Sequence, residues 1–193
     1  MSEPRHLLWQ VEESAGFEAS WITLNGLALH AEGRAVGQRP EPYWLDYTLD
    51  TDEHAVTTRL AVSAATASET YHLNLRRDGD GWFVDGEPRP DLAGARDCDL
   101  SFSPLTNTMP IIRTGLHRNP GSERFLMAFI EVPTLEVVAS VQHYEHLRTV
   151  AAGAEIRFTS GDFTSDIVVD GQGLVEVYPT MARRVPTANG PRT

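Results

Sequence analysis

The sequence predicts an all-β protein, a strongly curled antiparallel sheet or half-barrel with room for only a minor helix. Apolar and polar residues alternate along the chain. For example, Tyr71, Leu73 and Leu75 alternate with polar residues. Short segments rich in Gly, Asn, Asp or Pro separate these stretches. Roughly a dozen short strands joined by such turns are typical of a large curled sheet or barrel.

The strand candidates follow one another largely as hairpins. Asn25-Gly26 is the strongest short hairpin signal, and Gly-rich turns stand at 78–81 and 170–173. Residues 135–150 fit either a strand or one face of a helix, and the β-branched residues within 137–141 favour the strand. The other candidates are residues 17–24, 27–30, 43–49, 55–64, 70–77, 81–85, 124–132, 156–158, 163–169 and 174–178.

The length of 193 residues favours a single domain. We expect this domain to cover residues 1–182, because residues 183–193 have no apolar period and are typical of a loose tail. The four tryptophans, Trp9, Trp21, Trp44 and Trp82, lie in predicted strands and are expected to build the core. The alternative is that one of them lines a sugar-binding mouth.

Composition excludes several classes of function. A net charge of −11 argues against binding nucleic acid or an anionic membrane surface. The longest nearly apolar stretch, 125–130, is far shorter than the ~20 residues of a membrane-spanning helix, and the N-terminus is acidic. We therefore expect a cytoplasmic protein without an integral membrane segment. The sequence does not indicate an oligomeric state.

Neither a metal site nor a cofactor is predicted. Cys98 is the only cysteine, and its position beside Leu100 on an apolar face indicates an inert, buried thiol. His143 and His146 point to opposite faces of a strand, and no further run of metal ligands accompanies them.

The densest group of polar residues lies between 97 and 113. Asp97 and Asp99 share one face of an extended segment, and Thr106 and Asn107 lie in a loop bracketed by prolines. If Arg113 follows in a returning strand, it can pair with Asp99 or Asp97, and such a pair in a barrel mouth could orient a ligand. Alternatively, Asn107 stabilises the loop and Arg113 forms a structural ion pair.

Two further groups are candidate ligand contacts. Arg59 stands among small side chains on one face of its strand. It could reach across a cavity towards Glu18 or an acidic ligand, or lie exposed on the outside. Gln142 and Tyr144 share a strand face and could form a polar patch in an apolar wall. The alternative for Tyr144 is a buried hydroxyl satisfied by the backbone.

These motifs resemble the putative glycolipid-binding protein family, and the resemblance extends from about residue 10 to residue 180. Where that family usually has a second arginine, this chain has Ile112. The resemblance implies a spiral β-roll similar to lipoprotein-carrier folds and a glycolipid ligand. The matching elements are Asp97-x-Asp99-Leu100, Pro104-x-Thr106-Asn107-Thr108-x-Pro110-Ile111-x-Arg113, Gly16-x-Glu18, Thr58-Arg59, Gln142-x-Tyr144 and Asp170…Gly173-Leu174-Val175…Tyr178-Pro179.

The residues and the resemblance together favour non-catalytic binding of a lipid-like ligand, a glycolipid among the candidates. An apolar groove would take the acyl part, and Arg113, Asp99, Asn107 and Arg59 would hold the polar head. One alternative is a small hydrolase that uses Asp97 and Asp99 as acid and base. Another is a structural or protein-interaction β domain.

Overall fold

The computed structural model describes residues 3–186, which form one large, open sheet. Its single α-helix, α1, spans Thr108–Thr114, and short 3-10 helices span Pro90–Leu92 and Pro104–Asn107. The strands are β1 (Arg5–Val11), β2 (Gly16–Asn25), β3 (Ala28–Gly37), β4 (Tyr43–Thr51), β5 (Thr57–Ala65), β6 (Thr70–Asp78), β7 (Gly81–Val84), β8 (Glu87–Pro88), β9 (Asp97–Leu100), β10 (Ser122–Ile130), β11 (Val137–Val150), β12 (Gly153–Ser160), β13 (Phe163–Asp170), β14 (Val175–Tyr178) and β15 (Ala182–Arg184).

The sheet consists of two meanders joined in the middle. The strand order is β8-β7-β6-β5-β4-β3-β2-β1-β15-β14-β13-β12-β11-β10-β9. All neighbours are antiparallel except β9 and β10, which run parallel. Within the described chain no ladder joins β8 to β9, so the sheet is not closed. No helix in this part of the chain is long and apolar enough to cross a membrane.

The two meanders share one core. Strand β9, at one end of the sheet order, also lies against β5 of the other meander, where the Thr57 amide donates to the Arg96 carbonyl at 2.9 Å. Close by, the Trp82 indole N–H donates to the Ala95 carbonyl at 2.9 Å. The inward side chains of both meanders therefore belong to a single buried apolar cluster.

Most of the predicted strands and turns are confirmed. Asn25-Gly26 joins β2 to β3, and β5, β6 and β7 form the expected meander. The Asp170 carboxylate accepts from the Gln172 and Leu174 amides at 2.9 and 3.1 Å, which fixes the last predicted hairpin turn. The ambiguous segment is strand β11, as its β-branched residues indicate.

The loop and strand predicted for residues 104–113 are wrong. This segment forms a 3-10 helix followed by α1, so Arg113 lies on a helix. Pro110 is tolerated because it occupies the first turn, where backbone N–H groups have no partner within the helix. Gly115 ends the helix with φ 72°, a left-handed conformation that glycine adopts readily.

The prediction that all four tryptophans build the core is only half correct. Trp9 and Trp82 are buried, whereas Trp21 and Trp44 are 56% and 64% exposed on the outer face. At the C-terminus, β15 includes Arg183 and Arg184, so the sheet continues past the predicted domain boundary at residue 182. Residues 187–193 of the predicted tail lie outside the described residues.

Candidate functional site

The structure contains a largely apolar cavity. Its volume of about 580 Å³ falls in the range of roughly 300–1,000 Å³ that is usual for small-molecule sites. The apolar part of its lining includes Phe102, Phe129, Val132, Phe158, Phe163 and Tyr178. These walls come from β10, β12, β13 and β14 together with the turn after β9, so the cavity depends on the C-terminal meander. None of these aromatic residues was among the predicted ligand contacts.

The polar part of the cavity wall joins several predicted site residues in one network. Asp99, Asn107 and Gln142 line the cavity, and Thr106 and Tyr144 are hydrogen-bonded to them. The Asp99 carboxylate accepts from Thr106 Oγ1 at 2.7 Å and from Gln142 Nε2 at 2.5 Å. Asn107 Nδ2 donates to the Tyr144 hydroxyl at 2.8 Å, and this hydroxyl donates to Gln142 Oε1 at 3.0 Å.

With Asp99 ionised, the directions of these hydrogen bonds fix which end of the Asn107 amide is the oxygen. Gln142 gives an N–H to Asp99, so its oxygen is the atom that accepts from Tyr144. Because Tyr144 thereby uses its only proton, its oxygen accepts from the amide nitrogen of Asn107. The amide oxygen of Asn107 is left without a partner, although Asn107 is only 3% exposed.

Local structure holds this network in place. Gln142 and Tyr144 are two residues apart on β11 and therefore point to the same face of the sheet. The Tyr144 ring packs edge-on against Phe158 and Phe125, with centroid distances of 5.1 and 5.7 Å. On the other side, Phe102 turns the chain from β9 into the 3-10 helix with φ 64°, which is strained for a bulky residue.

Burial raises the pKa of Asp99, and the nearby negative charge of Asp97 adds to the increase. The hydrogen bonds from Gln142 and Thr106 act in the opposite direction but do not cancel the effect of burial. Because both of these donors are uncharged, the Asp99 carboxyl group faces the cavity without a cationic partner.

Asp97 and Arg113 form a separate, largely closed ion pair. Both Asp97 oxygens lie 2.5 Å from Arg113 nitrogens, and Arg113 Nη1 also donates to the Ala55 carbonyl at 3.1 Å. The guanidinium lies over the Phe125 ring at 5.4 Å. The pair borders a different depression of about 410 Å³, so neither residue lines the apolar cavity. The predicted pairing of Arg113 with an aspartate is present, but the pair does not lie in the wall of the apolar cavity, where it was expected to orient a ligand.

Glu18 belongs to another buried polar cluster. Its Oε1 accepts from the hydroxyls of Tyr47 at 2.5 Å, Ser103 at 2.8 Å and Ser20 at 3.3 Å, whereas Oε2 has no partner. Burial raises the pKa of Glu18 to about 7. Arg59 is exposed on the outside of the sheet and does not meet Glu18, so the second of its two predicted alternatives holds.

The cross-strand register explains why Tyr47 reaches Glu18. Tyr47 on β4 is paired directly with Gly33 on β3, and its ring lies close to that glycine. A Cβ atom at Gly33 would stand 2.1 Å from the ring. Tyr47, Ser20 and Ser103 were not among the predicted site residues. The signal that could have found Tyr47 is the pairing of an inward tyrosine with a glycine in the neighbouring strand.

Cys98 lies between the two aspartates with its side chain buried, as predicted. Burial raises the pKa of its thiol to about 12, and Thr57 Oγ1 lies 3.6 Å from the sulfur. Within residues 3–186, no three His, Cys, Asp or Glu side chains form a group that could hold a metal ion.

Comparison with known proteins gives a consistent assignment. The chain is similar to a DUF1089 family protein from Pseudomonas aeruginosa, whose crystal structure has 29% sequence identity and a TM-score of 0.73 over 87% of this chain and 92% of that one. It also resembles a β-barrel-like protein of domain of unknown function DUF1849 from Brucella abortus, with 10% identity and a TM-score of 0.53 over 94% and 95% of the two chains. The second likeness concerns the fold alone.

No curated protein matches the chain. The model of the family described as "Putative glycolipid-binding" matches residues 6–184, nearly the whole chain. The match includes the strand, turn and helix that carry Asp99, Thr106 and Asn107, as well as Gln142 and Tyr144 on β11. The chain therefore belongs to the putative glycolipid-binding family.

Proposed function

We propose that the protein binds a lipid-like ligand in the apolar cavity and does not catalyse a reaction on it. The observation that carries this proposal is the combination of aromatic walls with a buried polar network that leaves the Asn107 amide oxygen without a partner. Burial of apolar ligand surface against the walls supplies the main favourable free energy, and the polar network orients one end of the ligand. The family description makes a glycolipid the leading candidate.

In this proposal the predicted site residues divide into two groups. Asp99, Asn107 and Gln142 contact the ligand, because they line the cavity. Thr106 and Tyr144 position those contacts through hydrogen bonds. The roles first expected for Arg113, Arg59, Asp97 and Glu18 are not part of the proposal, because none of these four residues lines the cavity.

The geometry favours binding over hydrolysis by an aspartate pair. Acid and base catalysis on one bond requires both groups to reach the same substrate atoms. Asp99 faces the cavity, whereas both oxygens of Asp97 are engaged by Arg113. The two carboxyl groups are therefore not placed to act together on one substrate bond.

Native mass spectrometry of freshly purified protein, followed by denaturing extraction and lipid analysis, tests the proposal. Ser160→Trp places a large side chain in the cavity, since Ser160 lines it. Thr159→Trp is the matched control, because the adjacent residue of β12 points to the opposite face. We expect wild type and Thr159→Trp to carry a lipid-like molecule and Ser160→Trp to carry none.

The same experiment can contradict the proposal. If folded wild-type protein carries no ligand and binds no alkyl glycoside added to it, the cavity is not a lipid site. If Ser160→Trp retains the bound molecule as fully as Thr159→Trp, the ligand lies elsewhere on the protein. Circular dichroism of each variant establishes that the comparison is made between folded proteins.

A further inference from the structure

Asp99 places a carboxyl group in the cavity wall without a cation hydrogen-bonded to it. Asp99 is 9% exposed, and its two hydrogen-bond donors, Thr106 and Gln142, are uncharged. Arg113 is engaged by Asp97 and does not line the cavity. When Asp99 is ionised, an anionic ligand group placed beside it meets a like charge, and no arginine is hydrogen-bonded to Asp99 to compensate that charge.

The unpartnered atom of the network requires a particular kind of partner. The amide oxygen of Asn107, a residue that lines the cavity, is a buried hydrogen-bond acceptor without a partner. The chain of bonds through Tyr144 and Gln142 to an ionised Asp99 determines that this atom is the oxygen and not the nitrogen of the amide. Leaving a buried acceptor unpaired costs free energy that a ligand donor would recover. A hydroxyl group provides that donor, whereas a carboxylate, phosphate diester or sulfate has none to give.

The rim of the cavity does not reverse this preference. Among the charged residues that line it, Arg39 is the cation, and Glu13 and Glu131 are anions. Arg39 is exposed, and its Nη2 donates to the backbone carbonyl of Glu12 at 2.8 Å, which holds it at the surface turn. Exposed charges of this kind are screened by solvent and salt, so the buried carboxyl group of Asp99 has the larger influence on which ligand head group binds.

We propose that the cavity selects lipids whose polar end is uncharged and donates hydrogen bonds, and rejects lipids whose polar end is an anion. This inference rests on the proposed function and specifies its ligand class. A lipid with a hydroxyl-bearing head group binds, and a free fatty acid of the same chain length does not. Asn107 accepts from the ligand hydroxyl, and Asp99 is the group that excludes the anion.

The test uses two ligands with the same alkyl chain and different heads. Decyl glucoside and decanoate are each titrated into wild-type protein below their micelle-forming concentrations at pH 8, and binding is followed by calorimetry. We expect decyl glucoside to bind at least about tenfold more tightly than decanoate. The reason is that repulsion between the decanoate carboxylate and Asp99 in a poorly solvated site exceeds the free energy that corresponds to a tenfold change in affinity.

Asp99→Asn identifies the group responsible. The substitution keeps the shape of the side chain and removes its charge, so we expect decanoate to bind more tightly to this variant than to wild type. The ratio of the affinities for decyl glucoside and decanoate should fall to about threefold or less. Glu32→Gln, an equal change of charge at an exposed position of β3, is the control and should leave the ratio unchanged. The wild-type ratio tests the inference even if Asp99→Asn does not fold.

The possible results separate this inference from the proposed function. Tighter binding of the glucoside, with a ratio that collapses in Asp99→Asn alone, supports both. Equal binding of the two ligands, or tighter binding of decanoate, overturns the selectivity while leaving the cavity as a lipid site. Binding of neither ligand contradicts the proposed function and the selectivity with it.

Discussion

Asp97 and Asp99 stand two residues apart on β9, and both are buried, yet their surroundings differ completely. Asp97 is engaged through both oxygens by Arg113. Asp99 is held by uncharged groups of Thr106 and Gln142 and faces the cavity. A carboxylate whose charge and oxygens are already engaged by an arginine of the protein is a poor binding partner for a ligand. The comparison shows that the partner and the cavity, rather than the residue type or its strand, distinguish a structural aspartate from a binding one.

The largest expected effect comes from breaking the closed pair. Arg113→Leu leaves Asp97 buried without its partner, and we expect the free energy of unfolding to fall by about 3–5 kcal/mol. Denaturant unfolding measures the change. Arg157→Leu is a suitable control because Arg157 also pairs with an aspartate, Asp166, but on the exposed surface, where we expect a loss of about 1 kcal/mol or less.

The ligand content of Arg113→Leu sharpens the same comparison. If the variant folds at low temperature, its cavity should retain lipid as wild type does, since Arg113 does not line it. Loss of the ligand from folded Arg113→Leu, with no loss of stability, would place this arginine in the binding site and reverse the distinction between the two aspartates.

The next effect concerns Glu18, a buried carboxyl group that has hydroxyl partners but no cavity. Its pKa of about 7 in the folded protein, above its ordinary value of 4.5, means that the folded state holds a proton that the unfolded chain releases. The free energy of unfolding therefore falls as the pH rises from about 4.5 to about 7 and is constant above that range. Glu18→Gln removes this dependence.

Unfolding measurements on wild type and Glu18→Gln at pH 5 and pH 8 test this prediction. We expect the variant to gain roughly 2 kcal/mol relative to wild type between the two values. The difference between the two proteins is the informative quantity, because the raised pKa of Asp99 contributes to the pH dependence of both. A constant difference across this range would show that Glu18 remains ionised in the fold.

The smallest expected effect concerns Cys98, which lies between the two aspartates and points away from them. Because burial raises the pKa of its thiol to about 12, we expect a thiol-specific reagent at pH 8 to react with native protein only as fast as the fold opens. Denatured protein is the control and should react at once. Rapid labelling of native protein would mean that β9 is open to solvent and that neither aspartate is as enclosed as described.

Much of the strand pattern could be predicted because local rules agree with the tertiary structure there. Alternation and Gly-containing turns locate the hairpins around Asn25-Gly26 and Asp170. Residues 108–114 could not be read in this way, since Pro110 and the two isoleucines after it disfavour a helix locally. Burial of Ile111 and Ile112 and the left-handed Gly115 stabilise the helix instead.

The site could be predicted in part for a similar reason. The motif around Asn107 and the pair Gln142 and Tyr144 indicated polar side chains in an apolar wall, and the structure brings them together. The choice between Asp97 and Asp99 as partner of Arg113 depends on the direction of a helix that the sequence did not reveal. The outward placement of Trp21 and Trp44 depends on which side of the sheet is covered, and strand alternation alone does not specify that.

A crystal structure of the protein with decyl glucoside is the most direct test of the central claim. The account predicts that the alkyl chain lies against Phe158 and Phe129 and that a glucose hydroxyl lies within hydrogen-bond distance of Asn107 Oδ1. Binding of the ligand on the outer face at Trp21 or Trp44, with the cavity filled only by water, would contradict it.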